Sequence, residues 1–395
     1  MAITRQHIID LTNQYLTEII SIRRHLHQYP ELAFHETKTS EYIARQLEET
    51  GIPFQKGIAG TGIVGQIKGR DPGAKTIALR ADMDALPVQE NKNISYCSQH
   101  KGIMHACGHD IHMASLLGAA KILHEIQHEL NGTVLLIFQP GEEKHPGGAK
   151  KMLEEGIFNN IKPDAIIAQH VDPDLPIGVV GFKPGMYMAS ADELYIKIKG
   201  KGGHAGMPDK ISDTVYAASQ AMMHVHHIIN RKSPPQVPNV VSFGKIEADG
   251  ATNIIPDQVI AHGTFRTMDE SWRAEAHERM QKTVRHIAEI NDCVGEMEIK
   301  KGYPFLINDP DMTSLFHDNA KEYLGKEQVY DLEIKMVAED FAYFSQKYPS
   351  VMYRVGTQKN NHEQHTLHSP NYQIDDKVLI TGSGNLAWLA FSFLK

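Results

Sequence analysis

The sequence predicts an α/β protein: a mostly parallel sheet flanked by helices, interrupted by a smaller inserted domain of ferredoxin-like α+β type. Three observations carry this. Short runs at 76–80, 133–138 and 164–168 are apolar on both faces and separated by helical periodicity, the pattern of buried parallel strands. Beyond Gly185–Ser190 the strands instead alternate apolar and polar, in the order β-α-β-β-α-β, and after Tyr303-Pro304 the first pattern resumes. A chain of 395 residues is also too long for one ordinary core.

Taken in order, apolar spacing predicts helices at 5–27 and 38–50, the second stopped by Gly51 with Pro53 beyond. The segments 62–68 and 76–80 are β-rich. A long helix at 108–127 precedes the strand 133–138, a helix at 148–155 follows, and 164–168 is a further buried strand. In the insert, strands at 193–200, 240–248, 258–269 and 294–300 frame helices at 211–229 and 271–290. The expected boundaries are 1–186 with 304–395 for the larger, discontinuous domain and 187–303 for the insert.

Composition narrows the function classes. Hydrophobic content of 41% with 22% charged residues is that of an ordinary globular protein. A net charge of −8 with no basic face argues against nucleic acid as a partner. The first 22 residues read as an amphipathic helix, not a secretion signal, and the longest apolar runs fall far short of the roughly 20 residues a membrane helix needs. Three widely spaced cysteines make no disulfide framework, which suits a reduced, cytoplasmic location. Cys97 and Cys293 read as ordinary free thiols.

Chemistry concentrates at His105-Ala106-Cys107-Gly108-His109-Asp110-Ile111-His112, where a thiol, three imidazoles and a carboxylate fall within eight residues. Such a donor set suits a borderline-soft divalent metal. Acidic or imidazole groups also follow the buried strands: Asp82 and Asp84 after 76–80, Glu142 and Glu143 after 133–138, His170 after 164–168, and His368 beyond the apolar segment 351–355. In open parallel sheets, sites gather at the carboxyl ends of the strands. Within the Glu pair, one carboxylate can bind metal while the other takes a proton from water.

On a regular helix Cys107 and His109 would point about 200° apart, so a shared centre requires an irregular backbone, which Gly108 permits. His109 with His112, at i and i+3, is a competing pair, and His105 is a third candidate. His224, His226 and His227 invite a metal reading, but a surface or subunit interface explains them more simply.

With these residues assembled, the chain resembles the M20 metallopeptidases, and within them the N-acyl-amino-acid amidohydrolases, hippurate hydrolases and auxin-conjugate hydrolases. The likeness runs through Arg24-His25-Leu26-His27, Pro30-Glu31-Leu32, the segment 79–87, the cluster 105–112, Gly202-Gly203-His204-Ala205, Thr252-Asn253-Ile254-Ile255-Pro256, Gly263-Thr264-Phe265-Arg266 and Ala338-Glu339-Asp340-Phe341.

The resemblance implies two divalent ions (Zn, Mn, Co or Ni) held by Cys107, His109, Glu143, His170 and His368, with Cys107 bridging and Glu142 as general base. It implies substrate binding by His204, Asn253 and Arg266, the insert serving as lid and dimerisation surface. Asp84 reads as a carboxylate orienting a metal ligand. The implied reaction is hydrolysis of N-acyl amino acids by a homodimer or higher homo-oligomer; the alternatives are a dipeptide exopeptidase and a non-catalytic metal- or amino-acid-binding protein. Lys144-His145-Pro146, Ile111 and Asp172 depart from the family pattern, and each could reshape the acyl pocket.

Overall fold

The computed structural model describes residues 3–92, 94–359 and 366–395. They form two compact units. The larger comprises Met1–Gly185, Ile307–Glu333 and Asp340–Lys395; the smaller comprises Met186–Leu306 and Ile334–Glu339.

The larger unit is built on an eight-stranded sheet. Its centre is four parallel strands in the spatial order Thr133–Gln139, Thr76–Asp82, Ala165–Pro176 and Ser350–Gln358. The first two of these are buried at every position, as strands covered on both faces must be. Gly62–Lys68 and Phe54–Ile58 extend one side in antiparallel fashion. The Phe54–Ile58 strand is not foreseen from sequence, because Phe-Gln-Lys-Gly-Ile shows no apolar alternation and its middle three residues are exposed.

The helices Arg5–Gln28, His109–Glu125 and Val378–Leu394 pack on one another. Gly118 lets them approach: a Cβ there would sit 2.5 Å from Ser383 Oγ and 2.6 Å from Ile19 Cδ1. The strand expected at 164–168 instead runs Ala165–Pro176, so His170 lies inside a strand and not beyond its end. Polar His170 and Asp172 hide this in the sequence, yet both stay in parallel register, opposite Arg354 and Gly356.

In the smaller unit four antiparallel strands lie in the order Asn239–Ala248, Gln258–Thr267, Asp192–Lys199, Val294–Lys301. The chain order of elements with this strand order is the ferredoxin-like arrangement. Helices Thr214–Lys232 and Glu270–Ile290 cover the sheet, closing a core that includes Leu194, Ile196, Ile198, Val225 and Trp272. The first of these helices starts three residues later than expected because Asp213 caps it, its side chain accepting the Tyr216 N–H. No helix among the described residues is long and apolar enough to cross a membrane.

Candidate metal centre

Cys107 and His109 face one centre because the helix begins only at His109 and is preceded by Gly108 in the left-handed region, φ 84°. A Cβ on Gly108 would also lie 2.6 Å from Val171 Cγ2, so conformation and packing both demand glycine. Cys107, His109 and His170 are buried and place one potential ligand atom each within 4.8 Å of one another. Cys107, Glu143 and His368 form a second such trio, and His109, Glu142 and Glu143 a third. The thiol of Cys107 is common to the first two. His368, the exposed member, is tied in by its backbone, whose N–H donates to Ala106 O at 2.9 Å.

His109 and His170 each have Nδ1 committed to a backbone carbonyl. His109 Nδ1 lies 2.8 Å from the Asp84 carbonyl and 3.3 Å from Asp84 Oδ1. His170 Nδ1 lies 2.7 Å from the Val171 carbonyl, leaving Nε2 3.5 Å from Cys107 Sγ. His112 has neither nitrogen to spare: Nδ1 meets Asp82 Oδ1 at 2.6 Å, and Nε2 accepts the Val171 N–H at 3.0 Å. His112 therefore braces the strand that carries His170. His105 is buried and neither nitrogen has a hydrogen-bond partner among the described residues. His224, His226 and His227 fall in none of the ligand-atom groups found among those residues, and His224 Nδ1 meets the Gln220 carbonyl at 2.8 Å.

The electrostatics favour positive charge at this centre. Burial alone opposes a cation at His109, yet Asp82 and Asp84 outweigh it and hold its pKa well above the ordinary value. Hydrogen bonds to Cys107 and Glu143 push His368 up to about 10. Burial would raise Glu143, but its bond to His368, 3.3 Å away, and the nearby His109 hold it below the usual range. Burial pushes the Cys107 thiol up. Burial, with Arg354 adding, keeps His170 neutral, its pKa well below the ordinary value. His109 Nε2 is buried without a hydrogen-bond partner among the described residues, a costly state that a divalent cation would relieve. Sulfur, imidazole and carboxylate donors in this arrangement fit Zn, Mn, Co or Ni.

Beneath the centre lies a buried charge network. Arg80 donates to Asp82 at 2.6 Å, to Asp340 at 3.0 Å and to Gln139 at 2.9 Å, all fully or nearly fully enclosed. The Asp340 N–H in turn approaches Glu142 Oε1 at 3.4 Å. Sequence reasoning gave no role to Arg80 or Asp340; a charged residue in an apolar strand was the available signal.

Of the residues assigned to substrate, His204 and Asn253 are neighbours on a short ribbon in the smaller unit. His204 pairs with Ile254, and the Ala205 N–H donates to Asn253 O at 3.0 Å. Both side chains are exposed. Arg266 lies on the Gln258–Thr267 strand, partly buried; its Nη1 donates to Met336 O at 3.1 Å, and it has no carboxylate partner among the described residues.

The sequence profile of peptidase family M20/M25/M40 matches residues 78–389. An N-acetyl-L-cysteine deacetylase of Bacillus subtilis is 39% identical over 366 residues, 93% of this chain and 86% of the relative. An IAA-amino acid hydrolase of Arabidopsis thaliana is 36% identical over 388 residues, 97% of this chain and 87% of the relative. The crystal structure of the Bacillus subtilis YXEP protein, described as a dinuclear metal binding peptidase, superposes with a TM-score of 0.81 at 35% identity, covering 97% and 99% of the two chains. The chain belongs to peptidase family M20/M25/M40, among its amidohydrolases.

Proposed function

We propose that this protein hydrolyses the amide bond of N-acyl amino acids, releasing a carboxylic acid and a free amino acid. In this reading Cys107, His109, Glu143, His170 and His368 would hold two divalent cations, Cys107 belonging to two of the ligand trios. The observation that carries it is the Cys107 thiol shared by two ligand trios, with Glu142 alongside. Bound cations would lower the pKa of a water toward about 7 and polarise the scissile carbonyl.

Glu142 would accept the proton of the attacking water as the new C–O bond forms at the carbonyl carbon. It returns the proton to the amine nitrogen as the C–N bond breaks. The His204 imidazole donates to the carbonyl oxygen as charge develops there. Asn253 and the Arg266 guanidinium hold the free carboxylate of the amino acid, a task suited to a planar fork without an acidic partner. Asp84 orients His109 through its carbonyl and oxygen contacts.

The smaller unit acts as lid and dimerisation surface. Exposed Met223, Ile246 and Tyr216 on its helix and edge strand support the latter role. Peptide hydrolysis is the second reading, favoured by the likeness to a dinuclear metal binding peptidase. Both are tested by amine release from N-acetyl and N-benzoyl amino acids and dipeptides, using chelator-stripped protein with and without Mn, Zn, Co or Ni. Cleavage of dipeptides alone would move the assignment to an exopeptidase. Cleavage of neither class with any metal would contradict both.

A further inference from the structure

The loop presenting Glu142 and Glu143, with the start of the helix Gly148–Glu154 that follows it, is held at three backbone amides by three buried carboxylates. Glu36 Oε1 accepts the Gly141 N–H at 2.8 Å, Asp84 Oδ2 the Glu143 N–H at 2.9 Å, and Asp340 Oδ2 the Ala149 N–H at 3.0 Å. Asp84 also contacts His109, and Asp340 answers Arg80 and Gln139. Glu36 differs from both. It is fully buried, and its hydrogen-bond partners among the described residues are all neutral: the N–H groups of Phe34 and Gly141 on Oε1, at 2.9 and 2.8 Å, and the Thr61 hydroxyl on Oε2 at 2.7 Å.

A carboxylate enclosed without a cation is an expensive way to fill space. Burial indeed raises the Glu36 pKa, against the pull of its hydrogen bonds and with Asp84 adding. What it accomplishes is the joining of two turns. Phe34, φ 65°, and Gly141, φ 58°, are both left-handed, and their N–H groups share one oxygen. The Phe34 ring lies so close that a Cβ on Gly141 would come within 2.4 Å of Cζ. Gly141 immediately precedes Glu142, so any rotation of this turn swings both carboxylates of the pair.

We propose that Glu36 is a positioning residue for the Glu142–Glu143 pair, fixing through the Gly141 N–H the turn from which both side chains are presented. The inference rests on the reading of Glu142 as the base. A misplacement of about 1 Å in such a group can lower turnover by about 100-fold.

The test compares Glu36→Gln, Glu36→Met, Glu36→Asp, Thr61→Val and Glu142→Gln in the metal-loaded enzyme. Amide exchange at Gly141 is followed in parallel on metal-free protein. Glutamine keeps an oxygen for the Gly141 N–H and can donate to Thr61, so kcat is expected within about threefold of wild type. Glu36→Met is expected to lower kcat on the order of 30-fold with KM changed less than about threefold, and to speed Gly141 exchange. Glu36→Asp keeps the charge but shortens the reach, and should show the same losses if the methionine variant does not fold. Thr61→Val breaks only the Oε2 bond, so it should lower the melting temperature while sparing kcat and Gly141 exchange.

Wild-type kcat in folded Glu36→Met, or losses in Glu36→Met and Thr61→Val that simply follow melting temperature, would overturn the proposal. So would a glutamine variant as poor as the methionine one. An inactive Glu142→Gln beside an unimpaired Glu36→Met overturns this inference alone. A fully active Glu142→Gln overturns the base reading and this inference with it.

Discussion

His109 turns its Nδ1 to the backbone carbonyl of Asp84, 2.8 Å away, and so leaves Nε2 buried without a hydrogen-bond partner among the described residues. The segment just beyond the strand Thr76–Asp82 thereby sets the orientation of a side chain at the start of a different element, the helix His109–Glu125. Main-chain contacts of this kind fix an imidazole tautomer without adding a charge.

Asp82 extends the same control through side chains, touching His112 at 2.6 Å and standing 3.8 Å from His109 Nδ1. Burial opposes its charge, but His109, Arg80 and His112 hold its pKa well below the carboxylate range. Asp82→Asn is expected to weaken metal affinity by about 10–100-fold, measured by competition with a chromogenic chelator. Unchanged affinity would mean that His109 and His170 hold their orientations without it.

Arg80 is fully buried between Asp82 and Asp340. Arg80→Met would leave two enclosed carboxylates without their shared cation. The expected loss is about 3–5 kcal/mol, read as a fall in melting temperature on the order of 10 °C. A shift of only about 1 °C would show that water or rearrangement compensates those charges.

In the smaller unit Asp192 accepts from Arg273 at 2.9 Å and meets His277 at 2.6 Å. Burial would raise its pKa, but these partners bring it down to about 2 from an ordinary 3.8. A depressed folded-state value stabilises above the unfolded pKa and is lost as pH falls through the folded one. The unit should therefore lose about 2 kcal/mol between about pH 4 and pH 2. Replacing Trp388 by Phe leaves Trp272 as the chain's one tryptophan, within this unit's core. Its fluorescence during denaturant unfolding should show that loss, and an added Asp192→Asn should flatten it. An unchanged pH slope in the double variant would assign the acid sensitivity elsewhere.

Arg266 has no carboxylate partner among the described residues, and its proposed task is the substrate's carboxylate. Hydrogen bonds to a charged group are worth about 1.5–3 kcal/mol, so Arg266→Ala should raise KM by about 10–100-fold. An N-acyl amino acid amide, lacking that carboxylate, should lose the distinction between wild type and variant. Equal losses on both substrates would point to a role in the fold of the smaller unit alone.

Much of the architecture was legible because its signals are local. Continuous apolar runs marked the buried strands 76–80 and 133–138, and alternation marked the insert. The irregularity needed between Cys107 and His109 could be anticipated from Gly108, whose left-handed backbone supplies it. Other features depend on contacts distant in sequence. His170 looked like a strand-end residue because polar side chains interrupt the apolar run, whereas pairing with Ser350–Gln358 keeps it within the strand. Glu36 sits in a Glu-Thr-Lys-Thr-Ser segment that reads as an exposed helix start, and its burial arises from Thr61 and Gly141. Asp340 gains its place through Arg80 and Gln139, far earlier in the chain.

The most direct measurement is amine release by wild type and Glu142→Gln on N-acetyl and N-benzoyl amino acids, with bound metal quantified in the same samples. Wild type should be inactive after chelation and recover with added metal. Glu142→Gln should keep wild-type metal content and lose at least about 100-fold in kcat, since general-base catalysis contributes about 100- to 10,000-fold. A metal-loaded Glu142→Gln enzyme with near wild-type turnover, or wild-type hydrolysis unaffected by chelation, would contradict the proposed chemistry.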